Sequence, residues 1–153
     1  KLFFFQTIFN SPVFILKKEL LVLPIFGWYL KKISSISINR NKISKENLGF
    51  FDDIHKLINT SDRPLIIFPQ GTRLLPKDRT SFKKGASRIY EALKVSCQPV
   101  AVNSGYTWPK HGLKKCNKIL TISILKSIEP GLDKEIFLKK LQDDIYSELD
   151  FLD

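Results

Sequence analysis

The segment from Pro64 to Arg73 brings together residue types suited to holding an anion. Four apolar residues, Leu65-Ile66-Ile67-Phe68, run straight into Pro69-Gln70-Gly71-Thr72-Arg73. A short continuous apolar run bounded by turn residues predicts a buried strand. Pro and Gly directly after it predict a tight loop. In α/β sheets ligands sit in the crevice beyond the carboxyl ends of strands. A glycine that lets backbone approach closely, a hydroxyl and a permanently charged guanidinium therefore arrive where a ligand would sit. Arg73 suits a phosphate because its planar fork donates two hydrogen bonds at once. The same pattern also fits a strand, a turn and a solvated arginine.

Composition narrows the partner. The chain has 153 residues, enough for one domain with a real core, and 43% hydrophobic with 26% charged residues excludes a disordered chain. A formal net charge of +10 implies an anionic partner: nucleic acid, an anionic lipid surface or a phosphorylated substrate. Half of the twenty lysines come in pairs, Lys17-Lys18, Lys31-Lys32, Lys83-Lys84, Lys114-Lys115 and Lys139-Lys140, and each pair also fits a solvated face. Zinc-finger spacing and an RNA-recognition signature are both absent, so a nucleic-acid binder has charge alone behind it and no nucleic-acid partner is expected. Cys97 and Cys116 are isolated, without metal-ligand spacing, and read as reduced thiols in a reducing compartment. The first residue is Lys1 rather than Met, which suggests a fragment or a processed chain.

The longest apolar run, Leu20 to Leu30, is too short to span a bilayer. It carries Pro24, Gly27 and Trp28 and is flanked by Lys17-Lys18 and Lys31-Lys32. Aromatic residues with lysine flanks suit a membrane interface, and a buried core segment fits equally well.

The elements that must position the loop follow from periodicity. The Phe-rich stretch from Lys1 to Asn10 predicts a helix stopped by Asn10-Ser11-Pro12, and Pro12 to Leu16 a strand. Glu19 to Leu23 and Gly27 to Ile33 predict two short helical pieces broken at Pro24, and Ile36 to Ile38 a short strand ending at Asn39-Arg40. Ser44 can cap a helix to about Asn59, with Leu48, Phe51, Ile54 and Ile58 as its apolar stripe and His55 beside it. Leu65 to Phe68 is expected as the central strand. Leu74 to Lys84 reads as a basic loop near the site. Gly85 to Ser96 predicts a helix burying Ala86, Ile89 and Leu93, and Pro99 to Val102 a strand. Tyr106 to Leu113 reads as a loop holding Trp108 and His111, and Ile119 to Leu125 as a strand. Asp133 caps a last helix whose buried face is marked by Leu138, Leu141, Ile145 and Leu149. Strands alternating with helices predict a single α/β domain over residues 1–153, with a mainly parallel sheet flanked by helices.

Several segments, in order, resemble the PlsC-type 1-acyl-sn-glycerol-3-phosphate acyltransferases. Phe68-Pro69-Gln70-Gly71-Thr72-Arg73 resembles that family's Phe-Pro-Glu-Gly-Thr-Arg motif. Lys17-Lys18-Glu19-Leu20 with Pro24-Ile25-Phe26-Gly27-Trp28 resembles its Lys-x-Glu-Leu…Pro-x-x-Gly-Trp segment. Ser34 to Arg40 resembles Gly-x-x-Phe-Ile-x-Arg, and Gln98-Pro99-Val100-Ala101 resembles Val-Pro-Val-Ala.

The resemblance implies a glycerolipid acyltransferase-like fold. It also implies transfer of an acyl group from acyl-CoA or acyl-carrier protein to 1-acyl-sn-glycerol 3-phosphate (lysophosphatidic acid), giving phosphatidic acid in phospholipid biosynthesis. Lys17, Arg40, Gly71, Thr72 and Arg73 are then the expected phosphate-binding residues. Phe68, Pro69, Gln70 and Pro99 are motif positions, with Pro99 shaping a strand start and acyl pocket. No metal and no cofactor beyond the thioester co-substrate is implied. The expected location is the cytoplasmic face of the inner or plasma membrane.

The family's base is the His of a His-x-x-x-x-Asp motif, which would fall just before Lys1. His55 and His111 do not fit it, so no catalytic residue is expected in this chain and the 153 residues alone are expected to lack turnover. Gln70 stands where the family usually has Glu, removing a charge, and Ser34 and Ser37 replace the usual Gly and Phe. Alternatives are a sister acyltransferase with another lyso-lipid or glycerol 3-phosphate as acceptor, and a non-catalytic lipid-phosphate-binding module.

Overall fold

The computed structural model describes residues 2–38, 48–72, 74, 77–107 and 119–152. They belong to two compact units, Lys1–Ile67 and Phe68–Asp153.

The first unit is built on β1, Val13–Lys17, whose four leading residues Val-Phe-Ile-Leu are all apolar and all buried. β1 lies between β2 (Ile36–Ile38) and β3 (Leu65–Ile66), parallel to both. Parallel neighbours require crossovers. After β1 the chain makes a 3-10 turn, Lys18–Val22, then α2, Phe26–Lys32, before reaching β2. Pro24 separates the two pieces because it cannot donate a helical hydrogen bond. α3, Leu48–Thr60, lies between β2 and β3, and α1, Leu2–Ile8, precedes β1. Leu30 of α2 and Phe50 and Ile54 of α3 are buried in this unit's core. Arg63 fastens the loops: Nε donates to the Ser11 carbonyl at 2.6 Å and Nη2 to the Ile33 carbonyl at 2.8 Å.

Two expectations change here. The strand expected over Leu65 to Phe68 is only Leu65–Ile66, and it is half-exposed. The centre of the sheet is β1, because it is the strand paired on both sides within this unit. On α3, Ile54 is buried as expected, while Phe50 takes the buried position expected of Phe51, and Phe51 and Ile58 are half-exposed. Ser44, the expected cap, lies outside the described residues.

In the second unit, α4 (Gly85–Leu93) and α6 (Lys134–Leu152) pack together and α6 packs on β4 (Val100–Val102). β4 pairs antiparallel with β5, Ile122–Ile124, a shorter strand than the expected Ile119 to Leu125. A short helix α5, Ser104–Thr107, follows β4. The remainder of the expected loop there, with Trp108 and His111, lies outside the described residues, as does Cys116. Cys97 is a free, half-buried thiol whose pKa burial pushes up to about 11, so it stays neutral.

α6 starts as expected. The Asp133 carboxylate accepts the Glu135 backbone N–H at 2.8 Å, satisfying one of the donors a helix start leaves open. Its buried face is Phe137, Leu141, Ile145 and Leu149; Leu138 is half-exposed. Phe137 displaces Leu138 because it keeps the four-residue spacing and stacks on Tyr90 of α4, ring centroids 3.7 Å apart. Each such side chain contributes roughly 1.5–3 kcal/mol by leaving water. On α4, Ala86 and Ile89 are buried as expected, with Tyr90 in place of the half-exposed Leu93.

The described ladders are parallel in the first unit and antiparallel in the second, with helices against both sheets. The architecture is α/β, with a parallel sheet flanked by helices.

Candidate functional site

Beyond β3 the chain turns sharply. The Gly71 N–H donates to the Phe68 carbonyl at 3.1 Å, closing a β-turn with Pro69 and Gln70 at its centre. Pro69 presets the backbone angle the turn requires. Gly71 takes φ +71°, a left-handed conformation that glycine adopts without steric penalty. Its N–H is engaged in the turn, so what Gly71 supplies here is shape. Thr72, the next residue, is exposed, leaving its hydroxyl accessible from solvent.

The loop that follows returns to the turn. The Lys83 N–H donates to the Pro69 carbonyl at 2.9 Å. Lys77, Lys83 and Lys84 are exposed along this loop beside the carboxylate of Asp78, while Arg79 is paired with Asp150. A turn that exposes a threonine is thus bordered by a lysine-rich segment, an arrangement that attracts phosphate.

This loop is fastened to α6. Gln142 Oε1 accepts the Phe82 N–H at 2.9 Å. The Tyr146 hydroxyl donates to the Thr80 carbonyl at 2.6 Å and accepts the Thr80 N–H at 3.1 Å. Gln70 Nε2 lies 3.5 Å from the same hydroxyl oxygen. Phe82 meets the Tyr146 ring edge to face at 5.2 Å between centroids, and the Arg79 guanidinium stands 4.9 Å from that ring's centroid while pairing with Asp150. Tyr146 and Gln142 were not legible as site-supporting residues, and of Arg79 only its place on the basic loop was. They lie 60 to 76 positions from their partners or on a loop, and the periodicity of α6 marks only its buried side.

Of the residues expected at the site, Phe68 to Thr72 form this one turn, and Pro99 is fully buried at the start of β4, where its carbonyl accepts the Leu125 N–H at 3.0 Å. Lys17 is the exposed last residue of β1 in the first unit, in register with Ile38 of β2. Arg40 and Arg73 lie outside the described residues. His55 is exposed on α3. Among the described residues no group of His, Cys, Asp and Glu is placed to hold a metal ion.

Comparison with known proteins places this loop in context. Residues 2–103 match the family model described as Acyltransferase. A 1-acyl-sn-glycerol-3-phosphate acyltransferase of Pseudomonas aeruginosa is 32% identical over 119 residues, covering 74% of this chain and 44% of that protein. One from Streptococcus pneumoniae is 34% identical over 97 residues, covering 63% and 33%, and one from Helicobacter pylori is 29% identical over 141 residues, covering 91% and 59%. The chain therefore spans roughly a third to three-fifths of the length of these curated relatives. The crystal structure of the 1-acyl-sn-glycerophosphate (LPA) acyltransferase PlsC from Thermotoga maritima superposes with a TM-score of 0.73 at 20% identity, over 93% of this chain and 57% of that one, a likeness of fold. Because the matched stretch runs from α1 through the Phe68–Thr72 turn to the end of β4, two-thirds of the chain, the chain belongs to the Acyltransferase family.

Proposed function

We propose that the protein transfers a fatty acyl group from an acyl thioester to the free hydroxyl of 1-acyl-sn-glycerol 3-phosphate, giving phosphatidic acid. The observation that carries this reading is the family match through a turn that presents Thr72 beside a cationic loop. The names of the curated relatives support the acceptor. In the reaction the acceptor oxygen forms a bond to the thioester carbonyl carbon, the carbon–sulfur bond breaks, and the thiol leaves with a proton. A general base must take the hydroxyl proton. Gly71 shapes the phosphate-binding loop, Thr72 donates its hydroxyl and Arg73 supplies positive charge; Lys17 and Arg40 are assigned to phosphate binding by the motif resemblance alone. The donor is acyl-CoA or acyl-carrier protein, and the setting is the cytoplasmic face of a membrane.

Thiol release from acyl-CoA by a chain that also carries the expected His-x-x-x-x-Asp motif, followed in the presence of lysophosphatidic acid and of glycerol 3-phosphate, tests the reading. The expected result is release with lysophosphatidic acid and a strongly raised acceptor KM in Arg73→Ala. Release with glycerol 3-phosphate alone, or an Arg73→Ala enzyme with unchanged acceptor KM, overturns it.

A further inference from the structure

The stretch between β1 and β2 exposes a set of large apolar side chains that the fold of the first unit does not cover. Val22 is 83% exposed, Leu23 48%, Ile25 86% and Trp28 68%, all within the span 22–28. Single exposed apolar residues are ordinary, whereas a cluster marks an interaction surface. The elbow is held in shape. Phe26 N–H donates to the Pro24 carbonyl at 2.6 Å, Gly27 N–H to Leu23 at 2.7 Å and Tyr29 N–H to Ile25 at 3.0 Å. Ile25, a β-branched residue, stands at φ +62°, where such residues are rarely found. A Cβ at Gly27 would come within 2.1 Å of the Leu21 carbonyl oxygen, so only glycine lets the chain fold back here. Residues buried by α2 are Gly27 and Leu30, while Trp28 faces solvent.

The charges around this elbow select the partner. Lys17 and Lys18 precede it, Lys31 and Lys32 close α2, all four are exposed, and the Lys32 ammonium lies 5.2 Å from the Trp28 ring centroid. Glu19 is the one carboxylate between Lys17 and Lys32. Apolar tips ringed by lysines match the boundary between acyl chains and anionic headgroups, where tryptophan rings and lysine stems are both satisfied. A second copy of the chain fits poorly, because pairing two such faces would bring their lysine flanks together. Among the described residues no helix is long and apolar enough to cross a membrane.

We propose that the elbow Val22 to Trp28, with Lys17, Lys18, Lys31 and Lys32, is a docking surface that seats the first unit on an anionic bilayer. It places the membrane reading given above on particular residues. Vesicle binding is read without turnover, so failure of this proposal and failure of the acyl-transfer reading are separable.

The test uses the purified protein with vesicles of phosphatidylcholine alone and of phosphatidylcholine mixed with phosphatidylglycerol. Trp28 emission is read in a Trp108→Phe background. The expected result is a blue shift and quenching by lipids brominated in the upper acyl chain, stronger on the anionic vesicles and weakened by salt. By vesicle co-sedimentation, Val22→Ser with Ile25→Ser and Trp28→Ser should bind at least about tenfold more weakly, each removed side chain forfeiting transfer from water to the interface. Lys31→Gln with Lys32→Gln should lose most of the preference for anionic lipid. Unquenched Trp28 on vesicle-bound protein overturns the proposal, and that readout needs no elbow variant to fold. So does a folded triple variant that binds like the parent, or a dimer in sedimentation that the triple variant abolishes.

Discussion

The Tyr146 hydroxyl closes on both polar groups of the Thr80 backbone, donating to the carbonyl at 2.6 Å and accepting from the N–H at 3.1 Å. A phenol has one proton and two lone pairs, so these two bonds and the contact with Gln70 Nε2 saturate it. The turn that presents Thr72 and the cationic loop beside it are therefore both fixed by a residue on the last helix. Tyr146→Phe keeps the ring on Phe82 and removes the polar clasp. Expected are a loss of about 1–2 kcal/mol in denaturant unfolding and, in a chain that also carries the expected His-x-x-x-x-Asp motif, an acceptor KM raised severalfold with kcat less affected. Equal loss in kcat and kcat/KM would assign Tyr146 a different role.

Gly71 stands at φ +71°, where an added Cβ crowds the following carbonyl. Gly71→Ala should cost about 1–2 kcal/mol in stability if the turn keeps its shape. If the turn relaxes instead, stability is spared and Thr72 moves. In both cases acceptor KM rises, and thermal unfolding measured beside kinetics separates the two. An alanine variant equal to the parent in both would show that the left-handed turn is dispensable.

Asp133 caps α6, and its hydrogen bonding with the Glu135 side chain, then with the Glu135 backbone N–H, holds its carboxyl below the usual carboxylate range. A depressed folded pKa means the cap stabilises above the unfolded carboxylate pKa, and that stability is lost as pH falls through the lower folded value. Asp133→Ala should lower the thermal midpoint by a few degrees at pH 7. The gap between the two proteins should close as the pH is taken well below 4. A gap that persists unchanged in acid would contradict a role through the ionised carboxylate.

Burial holds the Cys97 thiol at a pKa of about 11. Roughly one thiol in a thousand is then ionised at pH 8, and the thiolate is the reactive form. In a Cys116→Ser background, alkylation by iodoacetamide at pH 8 should be far slower than for a free thiol and should accelerate on adding denaturant. Rapid modification of the folded protein would place Cys97 in a different environment.

Local chemistry alone determined much of this protein. Pro24 breaks the helical run after β1 because it lacks an N–H, Pro69 and Gly71 force the turn after β3, and Asp133 starts α6. Each acts on residues a few positions away, which is the range over which sequence patterns are informative. The order of motifs around Phe68 to Thr72 was enough to place the family. Packing decided the rest. β1 became the centre of its sheet because it pairs on both sides, and Phe137 took the buried position beside Leu138 because Tyr90 of α4 stacks on it. Both depend on which face a neighbouring element presents. The clasp of Tyr146 on Thr80 spans 66 positions. Nothing in a polar residue's own neighbourhood encodes such a partner, since the hydroxyl finds it only when α6 docks and its bonds to water must be replaced.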